Sequence, residues 1–523
     1  MNLKLMLEQT AEQYATKTAL ILGERHMSYA ELDKTSNKVA NALIKIGVRK
    51  GDRVAMILPN SPEFIINYFG IIKTGGIAVP LDTRYKIEEL VSLFDNCKPK
   101  VLISRSPFLE PIVPVLPQFD SIEHIIDLSP NYEGQFISYR EIIASSPVQG
   151  VNVEIATEDV GTISYTGGPS TQPRGAAFTH SELCTQALMS ANGLLQTDKD
   201  RVMLFALPMY HMFALGIVLL SSIYKGSTII MVPGTGISIG SLMETIEREK
   251  GTMLLVVPYI FALAIKMARR EGVKNDLSSL RLCGSGGAPL SINVIRQFKQ
   301  YYGLTIADLW GLTEAVALVS HQPMYGTVKL GSSGKALPCW ELKIVDDSDK
   351  ELPPNQPGEI IIRGPFMKGY YNNPQATAAK IRSGWLHTGD MGRIDEDGFL
   401  FLTGRKKSVI ILKGQNVYPE DIETVLSTHP KIAAIKVVGI PDRLRGEIVR
   451  AFIVLKEGEA ATEQEIRHFC QEHMADYKSP KQIIFVDALP DTATARMNQK
   501  NLKEYLANLS PLPPVPHQGK AKL

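Results

Sequence analysis

Residues 160–180 read VGTISYTGGPSTQPRGAAFTH. A short β-like run, Thr162–Tyr165, feeds a loop made of Gly, Ser, Thr and Pro. Small residues let backbone N–H groups approach an anion closely, and the hydroxyls add donors. Arg174 contributes a permanent positive charge on a planar donor fork. A strand delivering such a loop is a candidate phosphate cradle. The spacing is not GxxxxGK[ST], so it is not a Walker P-loop.

On both sides of this stretch the chain alternates between short apolar runs and helix-like segments. Arg53–Leu58, Ile77–Leu81, Lys100–Ser104 and His124–Leu128 read as strands before it. Phe64–Thr74 reads as a helix closed by Gly75-Gly76. The pattern resumes at Arg201–Leu207, Thr228–Val232 and Met253–Val257. Such alternation argues for α/β layers around buried sheets. Val202–Tyr224 is apolar for long enough to span a bilayer, but Pro208 and His211 interrupt it and no second such segment exists. It reads as a buried strand, a turn and a core helix.

From about Gly331 the texture becomes β-rich. Glu341–Val345 and Glu359–Arg363 are short strands, and Asp395–Thr403 (DEDGFLFLT) reads as a hairpin turning at Asp397-Gly398. After Gly404 a compact α+β pattern follows. Pro419–Leu426 is a helix, Ala433–Val438 and Ile448–Leu455 are strands, and Thr462–Met474 is a helix with Thr462 as N-cap and Glu465 three residues on. Ser510–Leu523 (SPLPPVPHQGKAKL) reads as a disordered tail. The expected division is 1–406, 407–509 and 510–523.

Bulk properties narrow the function classes. The chain has 523 residues, enough for two or more cores, with 44% hydrophobic and 21% charged residues. Its 56 basic and 54 acidic side chains give a formal charge of +2, no field for nucleic acid or an anionic membrane. The five cysteines (97, 184, 283, 339 and 470) form no CxxC pair, which argues against a zinc site or disulfide framework and for the reducing cytoplasm. The N-terminus reaches charged residues too soon for a secretory signal.

Further motifs follow the phosphate loop in order. They are Leu207-Pro208-Met209-Tyr210-His211, Gly284-Ser285-Gly286-Gly287-Ala288-Pro289-Leu290, Trp310-Gly311-Leu312-Thr313-Glu314 and Gly358-Glu359. Trp385-Leu386-His387-Thr388-Gly389-Asp390, Gly404-Arg405-Lys406-Lys407 and Lys413–Glu423 complete the set. Together they resemble the adenylate-forming superfamily of acyl-CoA synthetases, luciferases and peptide-synthetase adenylation domains, over nearly the whole chain. The family's loop is YTSGTTGxPKG; here Gly167, Pro169, Ser170, Thr171 and Arg174 depart from it while frame and length are kept. The resemblance implies an α/β fold. Its large N-terminal domain would hold two layered α/β subdomains and a small β-barrel-like subdomain, ahead of a small mobile α+β C-terminal domain.

The resemblance also implies a chemistry. A carboxylate is a poor acyl donor because its leaving group is oxide; attack on the α-phosphate of ATP replaces that group with AMP, and a thiol such as CoA then takes the acyl group. Preorganised donors and a metal ion suit the charge that develops. Thr166, Gly168, Ser170, Thr171 and Arg174 would hold phosphates. Gly286, Gly287, Ala288, Trp310 and Gly311 would face the adenine, and Asp390 and Arg405 the ribose. Thr313 would donate to the α-phosphate and Glu314 would hold Mg²⁺. His211 would gate the substrate, with Phe213, Gly286, Gly311 and Val316 around an apolar acid, fatty, alicyclic or aromatic. Lys407 would be the hinge, and Lys413, Gly414 and Gln415 would help form the CoA tunnel. Tyr477–Lys481 would approach the CoA phosphates or simply be a solvated charge run. The implied partners are a small carboxylic acid, ATP and CoA, with no nucleic acid and no membrane span; a homodimer is left open.

One departure matters for the first step. The family ends in PxTxxGK, whose Lys bridges the acyl carboxylate and the α-phosphate. This chain has Pro490-Asp491-Thr492-Ala493-Thr494-Ala495-Arg496. Arg496 keeps the charge on a bulkier planar group. Three readings therefore stand: a CoA ligase using Arg496, a ligase that loads a carrier protein, and a non-catalytic nucleotide or acyl-CoA binder.

Overall fold

The computed structural model describes residues 1–130, 134–166, 173–233, 236–406, 409–442, 444–486 and 489. The chain divides into two compact units. One comprises Met1–Thr83, Val91–Thr166 and Gln172–Lys406; the other takes in Arg84–Leu90 and the described residues after Lys406.

Three sheets organise the larger unit among the described residues. The first has eight strands, with Gly175–Thr179, Val160–Tyr165, Ile77–Pro80, Arg53–Met56, Val101–Ser104 and His124–Asp127 adjacent in that order. The second has nine, with Ile306–Trp310, Leu282–Ser285, Met253–Val256, Arg201–Leu204, Thr228–Met231 and Thr18–Leu22 side by side. Most of these pairings are parallel. Parallel strands need helical crossovers, which cover both faces and bury the strands throughout. Ile77–Pro80, Val101–Ser104, Thr228–Met231 and Met253–Val256 are accordingly buried at every position.

Helix Pro62–Lys73 shows how tightly the crossovers pack. It is capped by Ser61 and buried at every position except Glu63. A Cβ at Gly70 would lie 2.5 Å from Val39 Cγ1, so glycine sets the approach of helix Tyr29–Lys45. Lys73 is buried at the helix end and is neutralised by Asp33 at 2.7 Å and Glu8 at 3.1 Å.

The third sheet is antiparallel, with Glu341–Val345, Gly358–Arg363, Trp385–Ile394 and Leu400–Arg405 as its main strands. The Asp397-Gly398 turn joins the last two, with Gly398 at φ +82. The apolar stretch 202–224 resolves into strand Arg201–Leu204, a buried π-helix Phe213–Leu220 and helix Ser221–Lys225. Among the described residues, no helix is long and apolar enough to cross a membrane.

The smaller unit has a core of its own. Long antiparallel strands Ile432–Asp442 and Gly446–Leu455 pair with each other, and helices Pro419–Ser427 and Glu463–His473 contribute buried residues to the same cluster. Thr462 accepts from the Glu465 N–H, the cap that its spacing suggests.

Candidate active site

Trp310 is the last residue of strand Ile306–Trp310 in the larger unit's second sheet. Gly311 follows because nothing else fits: a Cβ there would lie 1.9 Å from the Ala317 carbonyl oxygen. The chain then makes one 3₁₀ turn, Thr313–Ala315, and passes through two left-handed non-glycine residues, Val316 (φ +50) and Ala317 (φ +76). A β-branched residue in that region is strained, and such strain concentrates at functional sites. Thr313 and Glu314 are buried in the turn. Glu314 accepts a 2.5 Å hydrogen bond from Tyr370 Oη, and its carbonyl accepts from Met367 N at 2.8 Å.

The third sheet supplies Asp390. Thr388 Oγ donates to the Ile360 carbonyl at 2.6 Å and accepts from Asp390 N at 3.0 Å, so the turn around Gly389 (φ +77) is held from inside. Asp390 lies opposite Arg405 in the ladder. Its Oδ1 meets Arg405 Nε at 2.7 Å, and its Oδ2 accepts from Trp310 Nε1 at 2.9 Å. Three residues spread over 96 positions thus meet at one carboxylate that is 6% exposed. Each carboxylate oxygen can accept twice, so one acceptor site remains on each.

Gly286, Gly287 and Ala288 follow strand Leu282–Ser285, with Gly287 at φ +76. A Cβ at Gly286 would lie 3.0 Å from the Leu309 carbonyl oxygen and 3.5 Å from Phe213 Cε1. This loop therefore adjoins both the Trp310 strand and the start of the π-helix. A Cβ at Gly216 in that helix would meet Val316 Cγ1 at 3.0 Å, so Phe213, Gly216, Gly286 and Val316 share one apolar neighbourhood. His211 stands at its edge. Its Nδ1 accepts from Phe213 N at 3.2 Å, and burial pushes its pKa down to about 4, with Asp82 opposing. The ring is neutral at pH 7, and its Nε2 carries the proton.

At the phosphate loop the described residues show the frame. Thr166 N and Oγ1 both reach the Arg174 carbonyl, at 3.0 and 3.4 Å, and Tyr165 pairs with Gly175. Thr166 is buried and Arg174 exposed. Gly168, Ser170 and Thr171, together with Lys407 and Arg496, lie outside the described residues. In the smaller unit Lys413 (φ +52) and Gly414 (φ +82) turn the chain between Ile410–Leu412 and Gln415–Val417. Partial desolvation, together with Arg445 and Lys481, lowers the Lys413 pKa.

Mg²⁺ prefers one or two carboxylates with substrate phosphates and water over an all-protein cage. A single buried Glu314 beside Thr313 fits that preference. No group of three or more metal-ligating side chains occurs among the described residues. Sequence reasoning missed Tyr370, which carries no local signal and lies 56 residues from Glu314. It also gave Glu359 no role, although the Gly358-Glu359 pair marks that strand.

A model of the AMP-binding enzyme family matches residues 7–371, and one of the AMP-binding enzyme C-terminal domain matches 421–496. A long-chain-fatty-acid–CoA ligase of Escherichia coli O6:H1 is 32% identical over 530 residues, covering 95% of this chain and 93% of that protein. The 4-coumarate–CoA ligase 2 of Solanum tuberosum is 32% identical over 513 residues with the same coverage. Among solved structures, a double mutant of o-succinylbenzoate CoA synthetase from Bacillus subtilis, bound with its product analogue, superimposes with a TM-score of 0.83. It is 27% identical, with 95% of this chain and 98% of that one covered.

Proposed function

The chain belongs to the AMP-binding enzyme family, and on that premise we propose an AMP-forming carboxylate–CoA ligase that activates an apolar acid through an acyl-adenylate. The observation that carries this reading is the Asp390 corner. A buried carboxylate, steadied by Trp310 and Arg405 and left with one acceptor site on each oxygen, suits the two hydroxyls of a ribose.

In this reading Trp310 stacks on the adenine, and Gly286, Gly287, Ala288 and Gly311 let it lie close. Thr166, Arg174, Gly168, Ser170 and Thr171 bind the β- and γ-phosphates. Thr313 donates to the α-phosphate. Glu314, its carboxylate oriented by Tyr370, holds Mg²⁺, which neutralises phosphate charge when bound. The acid's carboxylate attacks the α-phosphorus and pyrophosphate leaves. Arg496 bridges the two anions at that step. His211, neutral and donating from Nε2, steers the acid's entry, while Phe213, Gly286, Gly311 and Val316 surround its apolar part.

In the second step the CoA thiol attacks the acyl carbon and AMP leaves. Lys413, Gly414 and Gln415 guide the pantetheine, and Lys407 is the pivot between steps. Two of the relatives named above act on long-chain fatty acids and 4-coumarate by their names, acids without a second carboxylate, which supports an apolar acid. The cytoplasm suits the five unpaired cysteines.

The test is CoA-dependent AMP release over fatty, alicyclic and aromatic acids. Turnover with at least one apolar acid, abolished by Glu314→Gln, is expected. ATP binding with no AMP from any acid would overturn the proposal.

A further inference from the structure

Glu359 lies in strand Gly358–Arg363 opposite Met391 and is 5% exposed. Its two oxygens engage two other segments of the chain. Oε1 accepts from Gly389 N at 3.2 Å, and Oε2 meets Lys406 Nζ at 3.0 Å. Gly389 immediately precedes Asp390, and Lys406 immediately follows Arg405. Lys406 N also donates to the Gly389 carbonyl at 2.8 Å, closing a small ring of contacts around the Asp390–Arg405 pair.

His387 Nδ1 lies 3.5 Å from Glu359 but supplies no proton to it. Arg382 lies 2.6 Å from that same nitrogen, and a guanidinium can only donate, so Nδ1 is an acceptor. Asp347 engages Lys406 at 2.8 Å from a nearly fully exposed position, where a pair is worth little. Glu359 is thus the buried anchor of the cluster. Its surroundings favour the carboxylate: burial opposes ionisation, and Lys406, with the His387 ring adding to it, outweighs the burial.

We propose that Glu359 is a positioning residue for ribose recognition, clamping Gly389 and Lys406 so that Asp390 and Arg405 keep the spacing that two ribose hydroxyls require. The proposal rests on the ribose role assigned to Asp390 above. A buried carboxylate whose bonds go to the neighbours of a recognition pair transmits geometry without touching the ligand. Replacing Glu359 by Ala leaves the Gly389 N–H and the Lys406 ammonium without their shared acceptor, and the turn carrying Asp390 loosens. Glu359→Gln keeps an acceptor for Gly389 and loses the ion pair.

The experiment is equilibrium binding of ATP, 2′-deoxy-ATP and 3′-deoxy-ATP to the full chain by calorimetry, with melting curves as a folding control. The wild type is expected to discriminate against both deoxynucleotides. Glu359→Ala should weaken ATP about tenfold and narrow the ATP-to-deoxy ratio, Glu359→Gln should recover part of both, and acid binding should be unmoved. Lys406→Met provides a second, milder variant that breaks one arm of the clamp, should Glu359→Ala fail to fold. Asp390→Ala separates the two readings. If it preserves ATP binding and the ratio, the ribose role itself fails. If it abolishes either, while Glu359→Ala and Lys406→Met bind ATP and discriminate like wild type, the positioning role is overturned.

Discussion

The Asp390 corner, which we assign to the ribose, and the apolar wall, on which we place the acyl group, adjoin Trp310-Gly311 and are built by opposite means. The corner is made of polar side chains: Trp310 and Arg405 each lie within 3 Å of the Asp390 carboxylate, backed by Glu359 and Lys406. The wall is made largely of missing side chains. Gly216, Gly286 and Gly311 let backbones and apolar groups approach, and Val316 holds a left-handed conformation against them. Hydrogen-bonded recognition degrades in steps as partners are removed, each worth about 1 kcal/mol. A surface defined by close backbone approach has no such steps, because a methyl group either fits or displaces the chain.

The strongest test of that contrast is Gly311→Ala. Its Cβ would lie 1.9 Å from a backbone oxygen, which cannot rotate away as a side chain can. The variant is expected to lose about 3 kcal/mol or more and all measurable adenylation. Gly240→Ala is the matched control. That glycine sits in the first turn of helix Ile239–Glu249 with nothing within 4 Å of its would-be Cβ, so melting should be unchanged or higher. Equal losses in the two variants would remove the steric account of the wall.

His211 is the titratable exception on the apolar side, and it gives the second test. Its folded pKa is about 4, against an ordinary value near 6.5. Between those values the unfolded chain binds the proton and the folded chain does not, so acidification favours unfolding. Stability should therefore fall as pH drops from about 6.5 to 4, with an upper bound of about 3 kcal/mol from this residue. His180, also lowered to about 4 by burial, contributes the same sign from its place beside Leu3 and Gly161. His211→Gln should flatten the acid slope of the melting temperature and leave the His180 share. An unchanged slope would mean that the fold does not hold His211 neutral. For the same reason, kcat/KM should show no limb near pH 6.5 that His211→Gln removes.

The contrast also explains what could be read from the chain alone. Fold class was legible because buried parallel strands write themselves as short apolar runs, and the structure ends most of them within a residue or so of the run. Trp310, Asp390 and Arg405 were legible as motifs, each on a short signature, and the structure brings them to one carboxylate. The clamp behind them was not, because Glu359, Gly389 and Lys406 meet only through sheet register. Val316 was legible as an apolar residue of a candidate acid pocket but not as a left-handed one. Nothing in the letters TEAVAL announces φ +50, which follows from the turn that Gly311 and Ala317 impose. The π-helix after His211 was hidden for a similar reason: an unbroken apolar run has no period from which to tell one helix type from another.

Val316 allows a third test, smaller in size. Truncation to Ala removes buried methyl groups and keeps the left-handed strain, and should cost about 2 kcal/mol. Truncation to Gly removes more volume but relieves a strain of about 1 kcal/mol or more. At an ordinary buried position the Gly variant is the less stable of the two. Here the order should close or invert, and a chemical denaturation series of the three proteins would measure it. A Gly variant clearly below Ala would show that the strain at this turn is negligible. If the wall does surround the acid, both variants should also shift acid preference toward bulkier members of the panel while leaving KM for ATP unchanged.

The smallest expected effect is at Trp310, where the two regions meet, and it separates two contributions that one residue makes to the corner. The indole face is the surface proposed to stack on adenine, and the indole N–H donates to Asp390 Oδ2 at 2.9 Å. Trp310→Phe keeps an aromatic face and removes the donor. Asp390 still has Arg405 at 2.7 Å, so its charge is not left unpaired. The loss should then be that of one hydrogen bond, about 1 kcal/mol or roughly fivefold in ATP affinity. It should appear in ATP binding and in the discrimination against deoxynucleotides, with acid affinity unmoved. Were stacking the whole contribution, Phe would bind ATP nearly as well as Trp and the deoxynucleotide ratio would not change. A larger loss than that of Glu359→Ala would instead make Trp310, and not the clamp on the third sheet, the main support of Asp390.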